Sequence, residues 1–275
     1  MKIHDVLTPS FKQLRHQLGH DRPRDSRPMW QQRLSADSDF CRAAVAMGYL
    51  SEEQMQRAAR RYRLGRSRDG GVIFWQIDQL EQLYDGKIMY YRPDCHRDHE
   101  RHPQWVTNLL KRHYLRGYED LAASIPSLHC LFGNHLITGE PLTNNHDPLT
   151  NNHDPLTMLA TPHSRKENHQ PAVAVVEAEK TAVIMSEHYP DYLWLAAGGL
   201  YELTAQKLFP LKGRRIILLP DTDPDGKAYA TWYHVMLEAQ RLLGQPIHLS
   251  PLLERKASAD QKQRKIDILD FVFEQ

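Results

Sequence analysis

From Pro171 to the C-terminus the sequence alternates short aliphatic runs with helical patterns, an order that few folds accept. AVAVVE leads to TAVIMSEHY, stopped by Pro190, and YLWLAA runs into Gly198-Gly199 and then LYELTAQKLF. RRIILLP precedes KAYATWYHVMLEAQRLL, which places Trp232, Val235, Met236, Ala239 and Leu243 on one face and stops at Gly244. QPIHLSPLL and QKQRKIDILDFVFEQ supply a fourth strand and helix. Strands that alternate with helices of this length predict a parallel α/β sheet covered on both faces.

In such a sheet, ligands bind outside the carboxyl ends of the strands. Acids gather there: Glu177 and Glu179 end the first strand, and Asp221, Asp223 and Asp225 end the third. Clustered carboxylates raise each other's pKa, and a hard cation such as Mg²⁺, which prefers oxygen ligands, relieves that repulsion. The spacing in DTDPDG also fits the first half of a calcium EF-hand loop, but the twelfth position is Trp232 and a buried strand precedes the loop. A strand ending in D-x-D resembles the haloacid-dehalogenase phosphatases too, although Asp225 stands where that family usually has Thr or Val.

A third resemblance uses both clusters. Glu177 in VVEAEKTA, Gly198 and Gly199 in WLAAGGL, and Asp221 and Asp223 in PDTDPDG follow the order of a Toprim domain, as found in bacterial primases, topoisomerases and related nucleases. DILD, with Asp267 and Asp270, resembles the acidic pair that closes the domain in primase-like members. Ala178 stands where glycine usually follows the family's Glu, and Thr181 where an acidic residue is common. Upstream, RAAVAMGYLSEEQMQRAARRYRLG, GGVIFWQI and HCLFGNHL resemble successive pieces of the primase core, and the whole is most similar to primase-like Toprim proteins of mobile genetic elements.

The resemblance implies a Toprim domain, a Rossmann-like parallel sheet flanked by helices, over 171–275, with Gly198, Gly199 and Gly226 at its turns. A smaller α+β primase-core-like subdomain is expected over 37–136, behind an extension at 1–36. The intervening 137–170 reads as a linker, because it carries the tandem heptad PLTNNHD, whose Asn, Pro, Thr and His cannot form a core. Within 37–136 the residues themselves predict a short helix ending near Gly48, a second opened by the capping box SEEQ, and a hairpin turning at Asp85-Gly86.

The function implied is a Mg²⁺- or Mn²⁺-dependent, primase-like nucleotidyltransferase acting on single-stranded DNA and NTPs in the replication of a mobile element, with a replicative helicase or other replication protein as partner. Glu177, Asp221 and Asp223 are its catalytic and metal-holding residues, joined at the metal by Asp267 and Asp270. Lys180 and Lys227, each just past an acid cluster, are placed to meet phosphate oxygens. Arg92, Lys111 and Arg112, interleaved with Tyr90, Tyr91, Trp105 and Tyr114, form the mixture that single-strand grooves use. A nucleic-acid-binding protein with little or no polymerase activity, or a metal-dependent nuclease, are the alternatives.

Charge agrees with a polyanion partner: residues 1–68 hold 14 Lys/Arg against 7 Asp/Glu, although the whole chain is only +1. The three cysteines form no C-x-x-C pair, which gives neither a disulfide framework nor a zinc ribbon. DCHRDHERH gathers Cys95, His96, His99 and His102, and reads as a charged loop rather than a metal site, because its spacing matches no zinc pattern. No apolar run approaches the ~20 residues of a membrane span, and the N-terminus lacks the apolar core of a signal peptide, so a cytoplasmic location is expected.

Overall fold

The computed structural model describes residues 31–114, 116, 129–137 and 171–274. The PLTNNHD repeat with His146 and His153, and nearly all of the expected extension and linker, lie outside these residues. The chain divides into two compact units between Leu136 and Ile137. Each is described by itself.

The first unit opens with helix α1 (Asp39–Ala46), where the Ser38 hydroxyl accepts the Cys41 N–H, and α2 (Glu52–Arg61). SEEQ forms the expected capping box: the Ser51 hydroxyl accepts the Gln54 N–H at 3.2 Å, and the Gln54 side chain accepts the Ser51 N–H at 2.8 Å. An antiparallel sheet follows in the order β1 (Gly65–Arg66), β2 (Val72–Ile77), β3 (Leu83–Met89), β4 (Gln104–Trp105), with α3 (Val106–Tyr114) directly behind.

The hairpin exists, but Asp85-Gly86 is not its turn. The chain reverses at Asp78–Gln82, where the Asp78 carboxylate accepts the N–H groups of Leu80 and Gln82 at 2.8 and 2.9 Å and Glu81 takes a φ of 62°. Gly86 instead sits within β3 opposite Trp75, where a Cβ would lie 2.6 Å from the indole ring. The Asp85 carboxylate accepts the Gly86 and Thr107 N–H groups at 2.7 and 3.0 Å, which ties β3 to α3. The Asp-Gly pair therefore serves packing and capping within the sheet.

One core cluster joins Ile73, Trp75, Ile77, Ile88 and Tyr90. A chain of aromatics makes another: Phe74 meets Phe40 at 5.9 Å and Phe132 at 5.2 Å, and Phe132 stacks on Tyr62 at 5.2 Å. Losing one such fully buried ring costs ~3–5 kcal/mol. Through Phe132, the segment HCLFGNHL belongs to the core of this unit.

The second unit is an α/β sandwich with a parallel sheet flanked by helices. Its elements are β5 (Ala172–Val176), α4 (Glu179–His188), β6 (Tyr192–Ala196), a 3₁₀ segment (Gln206–Leu211), β7 (Ile216–Leu219), α5 (Lys227–Leu243), β8 (His248–Leu249), α6 (Leu252–Lys256), α7 (Ala259–Arg264) and α8 (Ile268–Phe273). The strands lie parallel in the order β6-β5-β7-β8. On α5, Trp232, Met236, Ala239 and Leu243 are buried as the pattern predicts, with Val235 half-buried at the edge.

Two predicted helices differ. LYELTAQKLF forms turns and the start of a 3₁₀ segment: Gly198 and Gly199, just before it, have positive φ, and Pro210, just after it and lacking an N–H, lies within the 3₁₀ segment. The last predicted helix is two, broken at Lys265 with φ 56°, and both halves begin with capping boxes, at Ser258 and Asp267. Among the described residues no helix is long and apolar enough to cross a membrane.

Candidate active site

The chain runs from β5 outward to β6, then crosses back to lay β7 on the other side of β5. Between β5 and β7 the strand order reverses, and at such a switch point the loops leaving adjacent strands separate and open a crevice. Glu177 follows β5 immediately, and Asp221 follows β7 after Pro220. Aligned ends, with Val176 opposite Leu219, bring the two acids together, and the Asp221 N–H points at Glu177 Oε1 across 3.4 Å.

The surroundings disfavour charge on both. Burial pushes the Glu177 carboxyl up to about 7; the Asp221 N–H opposes the shift, whereas the charges of Asp267 and Asp223 add to it. The Asp221 carboxyl is pushed well above the usual range, first by its enclosure, although the residue keeps some surface, then by Glu177, Asp267 and Asp270. Lys180 is the opposing charge. It occupies the second position of α4 and is buried there rather than solvated as an ordinary first-turn lysine would be.

Asp223 has a different task. Its carboxylate accepts the N–H groups of Asp225, Lys227 and Ala228 at 2.9, 3.1 and 2.7 Å, closing the start of α5. Burial alone would raise its pKa, but those three bonds and the Lys265 charge outweigh it and hold the group below the usual carboxylate range. Gly226, with φ 65°, makes the turn between them, and Asp225 is exposed. Thr222 fastens the same segment on its other side: its N–H donates to Ile266 O at 3.0 Å and its hydroxyl to Glu254 Oε1 at 2.9 Å.

That clamp on Ile266 delivers DILD to the crevice. Asp267 caps α8 by accepting the Asp270 N–H at 2.9 Å, and its other oxygen accepts the buried Thr181 hydroxyl. Thr181 thus links α4 to α8. The Toprim resemblance implies an acid at this position, and the hydroxyl that stands there instead donates to a carboxylate 86 residues away, which no local pattern signals. On the far side, the Gly198 N–H donates to Glu177 O at 2.9 Å, fixing the glycine pair beside the acidic pair.

A hard divalent cation fits part of this set. Glu177 and Asp221 are adjacent oxygen donors in a surplus of negative charge, the environment that such an ion neutralises. Asp223 and Asp267 are occupied by capping bonds, and among the described residues no three His, Cys, Asp or Glu side chains are grouped as a metal site. The loop of the first unit is no exception: Cys95 is buried, whereas His96, His99 and His102 are exposed.

The expected nucleic-acid track is divided. Arg92 is exposed and paired with Asp94 at 2.8 Å; Lys111 and Arg112 lie in the last turn of α3. Tyr90 and Tyr91 are interior: Tyr90 donates to Asp69 and Tyr91 packs on Phe40 at 5.1 Å. Trp105 is half-buried and stacks on His129 at 3.9 Å. Lys227, at the start of α5, is exposed beside Tyr201, an aromatic that the sequence reading passed over.

A family model described as Domain of unknown function (DUF6371) matches residues 43–146 and 159–222. The match includes Glu177, Lys180 and Asp221, and the interval it skips contains the second PLTNNHD copy. No curated protein and no solved structure matches the chain.

Proposed function

We propose, for a chain that belongs to the DUF6371 family, that its α/β unit is a Toprim-type domain and that the protein is a primase-like nucleotidyltransferase. The observation that carries this reading is the juxtaposition of Glu177 and Asp221 at the switch point, both pushed toward neutrality first by burial and then by neighbouring carboxylates. Mg²⁺ or Mn²⁺ would be held by these two residues and would supply Lewis-acid activation of a 3′-hydroxyl and neutralisation of a leaving pyrophosphate.

The chain's own groups set the stage for that chemistry. Burial keeps bulk water from screening the acidic pair, and the Gly198 N–H fixes the Glu177 backbone. Lys180 balances Asp221 from within, and the Asp223 cap holds the loop that carries Asp221. Exposed Lys227 stands at the mouth for phosphate oxygens. NTPs and single-stranded DNA are the proposed substrates, with a replication protein as partner.

The test is template-dependent synthesis by the purified protein with single-stranded DNA, NTPs and Mg²⁺. Product that disappears in Asp221→Ala is expected, and absence of product, or product unchanged in that variant, contradicts the reading. A second reading, a binding protein with little polymerase activity, is favoured by one observation: the Asp223 carboxylate is taken up by three backbone N–H groups. That reading requires salt-dependent binding to single-stranded DNA that survives Asp221→Ala.

A further inference from the structure

The loop after β6 carries an exposed ring on a fixed base. Tyr201 is 66% exposed, although Leu203 and Ala205 just beyond it are buried. Three bonds hold the loop still: Glu202 N–H to Gly199 O at 3.1 Å, Trp232 Nε1 to Leu200 O at 3.0 Å, and Lys207 Nζ to Glu202 Oε2 at 3.3 Å. The Lys227 ammonium stands 5.5 Å from the centre of the Tyr201 ring. Because β5 lies between β6 and β7, this contact joins the segments that follow its two neighbours, next to the strand end that bears Glu177.

An aromatic ring left in water but pinned through its backbone is costly to leave exposed and well suited to accept a flat partner. Every nucleobase has such a face, and stacking on it needs no base identity. A lysine within reach adds a point charge for phosphate.

We propose that Tyr201 and Lys227 form a nucleotide subsite, Tyr201 stacking the base and Lys227 engaging a phosphate. The ligand is a nucleotide unit, either a free triphosphate or a residue of a strand. This inference rests on the functional reading above and specifies where its substrate is held. Tyr201 is a substrate-binding residue, since it touches the nucleotide away from the bond being made.

The experiment titrates the full chain with mant-ATP and, separately, with a short fluorescein-labelled oligothymidylate. Tyr201→Ala is expected to weaken binding of one probe roughly tenfold, within the range for loss of one base–aromatic stack. The probe affected identifies the source of the nucleotide. Tyr201→Phe, which keeps the ring, restores most of the affinity, and Lys227→Ala weakens the same probe while flattening its salt dependence. In the synthesis assay Tyr201→Ala raises KM with little change in kcat, and its thermal midpoint matches wild type because the ring is exposed.

Wild type that binds neither probe, Tyr201→Ala that binds both as wild type does, or Tyr201→Phe as weak as Tyr201→Ala would each overturn the subsite. Product formation that needs Asp221 with an unchanged KM in Tyr201→Ala overturns the subsite and leaves the nucleotidyltransferase standing. Weakened nucleotide binding in a protein that makes no product does the reverse.

Discussion

Asp221 and Glu177, 44 residues apart in sequence, meet where the Asp221 N–H points at Glu177 Oε1 across 3.4 Å. The contact is long for a hydrogen bond, so its energy is small; its value is positional. It sets two enclosed carboxyl groups side by side at the switch point of a parallel sheet, and the account of function rests on that placement.

Protonation of the pair ties stability to pH. Glu177 ordinarily titrates at 4.5 and is pushed up to about 7, so between those values the folded protein holds a proton that the unfolded chain has released. Stability of the chelator-treated protein therefore falls as pH rises through this window. Glu177→Gln removes the effect: it is neutral below about 4.5 and stabilises above about 7, by on the order of 1–3 kcal/mol. Urea denaturation at the two ends of the window measures it, and equal stability gains at both would refute it.

Thr181 is fully buried and donates to Asp267. Thr181→Val keeps the shape, removes the donor and leaves a buried carboxylate oxygen short of a partner, which costs about 1–3 kcal/mol. Thr181→Ser keeps the donor and most of the stability. Denaturation midpoints that rank Ser with Val would contradict the hydrogen bond.

Asp223 acts as a cap for α5, with three N–H groups on one carboxylate. Asp223→Ala is expected to destabilise the protein by about 1–2 kcal/mol, as loss of an N-terminal cap does. Since its folded pKa is lowered, the contribution is present above the unfolded value, near 3.8, and disappears as pH falls through the folded one. Comparing wild type with the variant across acid pH gives the sign.

Gly86 has no room for a side chain. A Cβ would meet the Trp75 ring at 2.6 Å and Ile73 at 2.9 Å, so Gly86→Ala strains β2 against β3 by about 1–3 kcal/mol. A stability unchanged by the substitution would show that the hairpin pairs in another register.

What the sequence disclosed divides along physical lines. The buried strands ending in Glu177 and Asp221 were legible because parallel strands covered on both faces have a distinctive composition, and SEEQ because a capping box is local chemistry. The Asp85-Gly86 turn was misread because the same dipeptide serves where an aromatic from the next strand needs space, a tertiary fact. LYELTAQKLF has helical composition, but its backbone start and Pro210 decide against a helix. The bond from Thr181 to Asp267 spans 86 residues, and no local pattern announces it. Tyr90 and Tyr91 suit a groove or a packed hairpin equally by residue type, with alternation turning at least one inward, and both carry the packing of the first unit.

Crystals soaked in Mn²⁺ provide the most direct test of the acidic pair. The account predicts an anomalous peak at the carboxylates of Glu177 and Asp221 that is lost in Asp221→Asn. A crystal with no peak there, or with Mn²⁺ bound at the crevice independently of both residues, would contradict it.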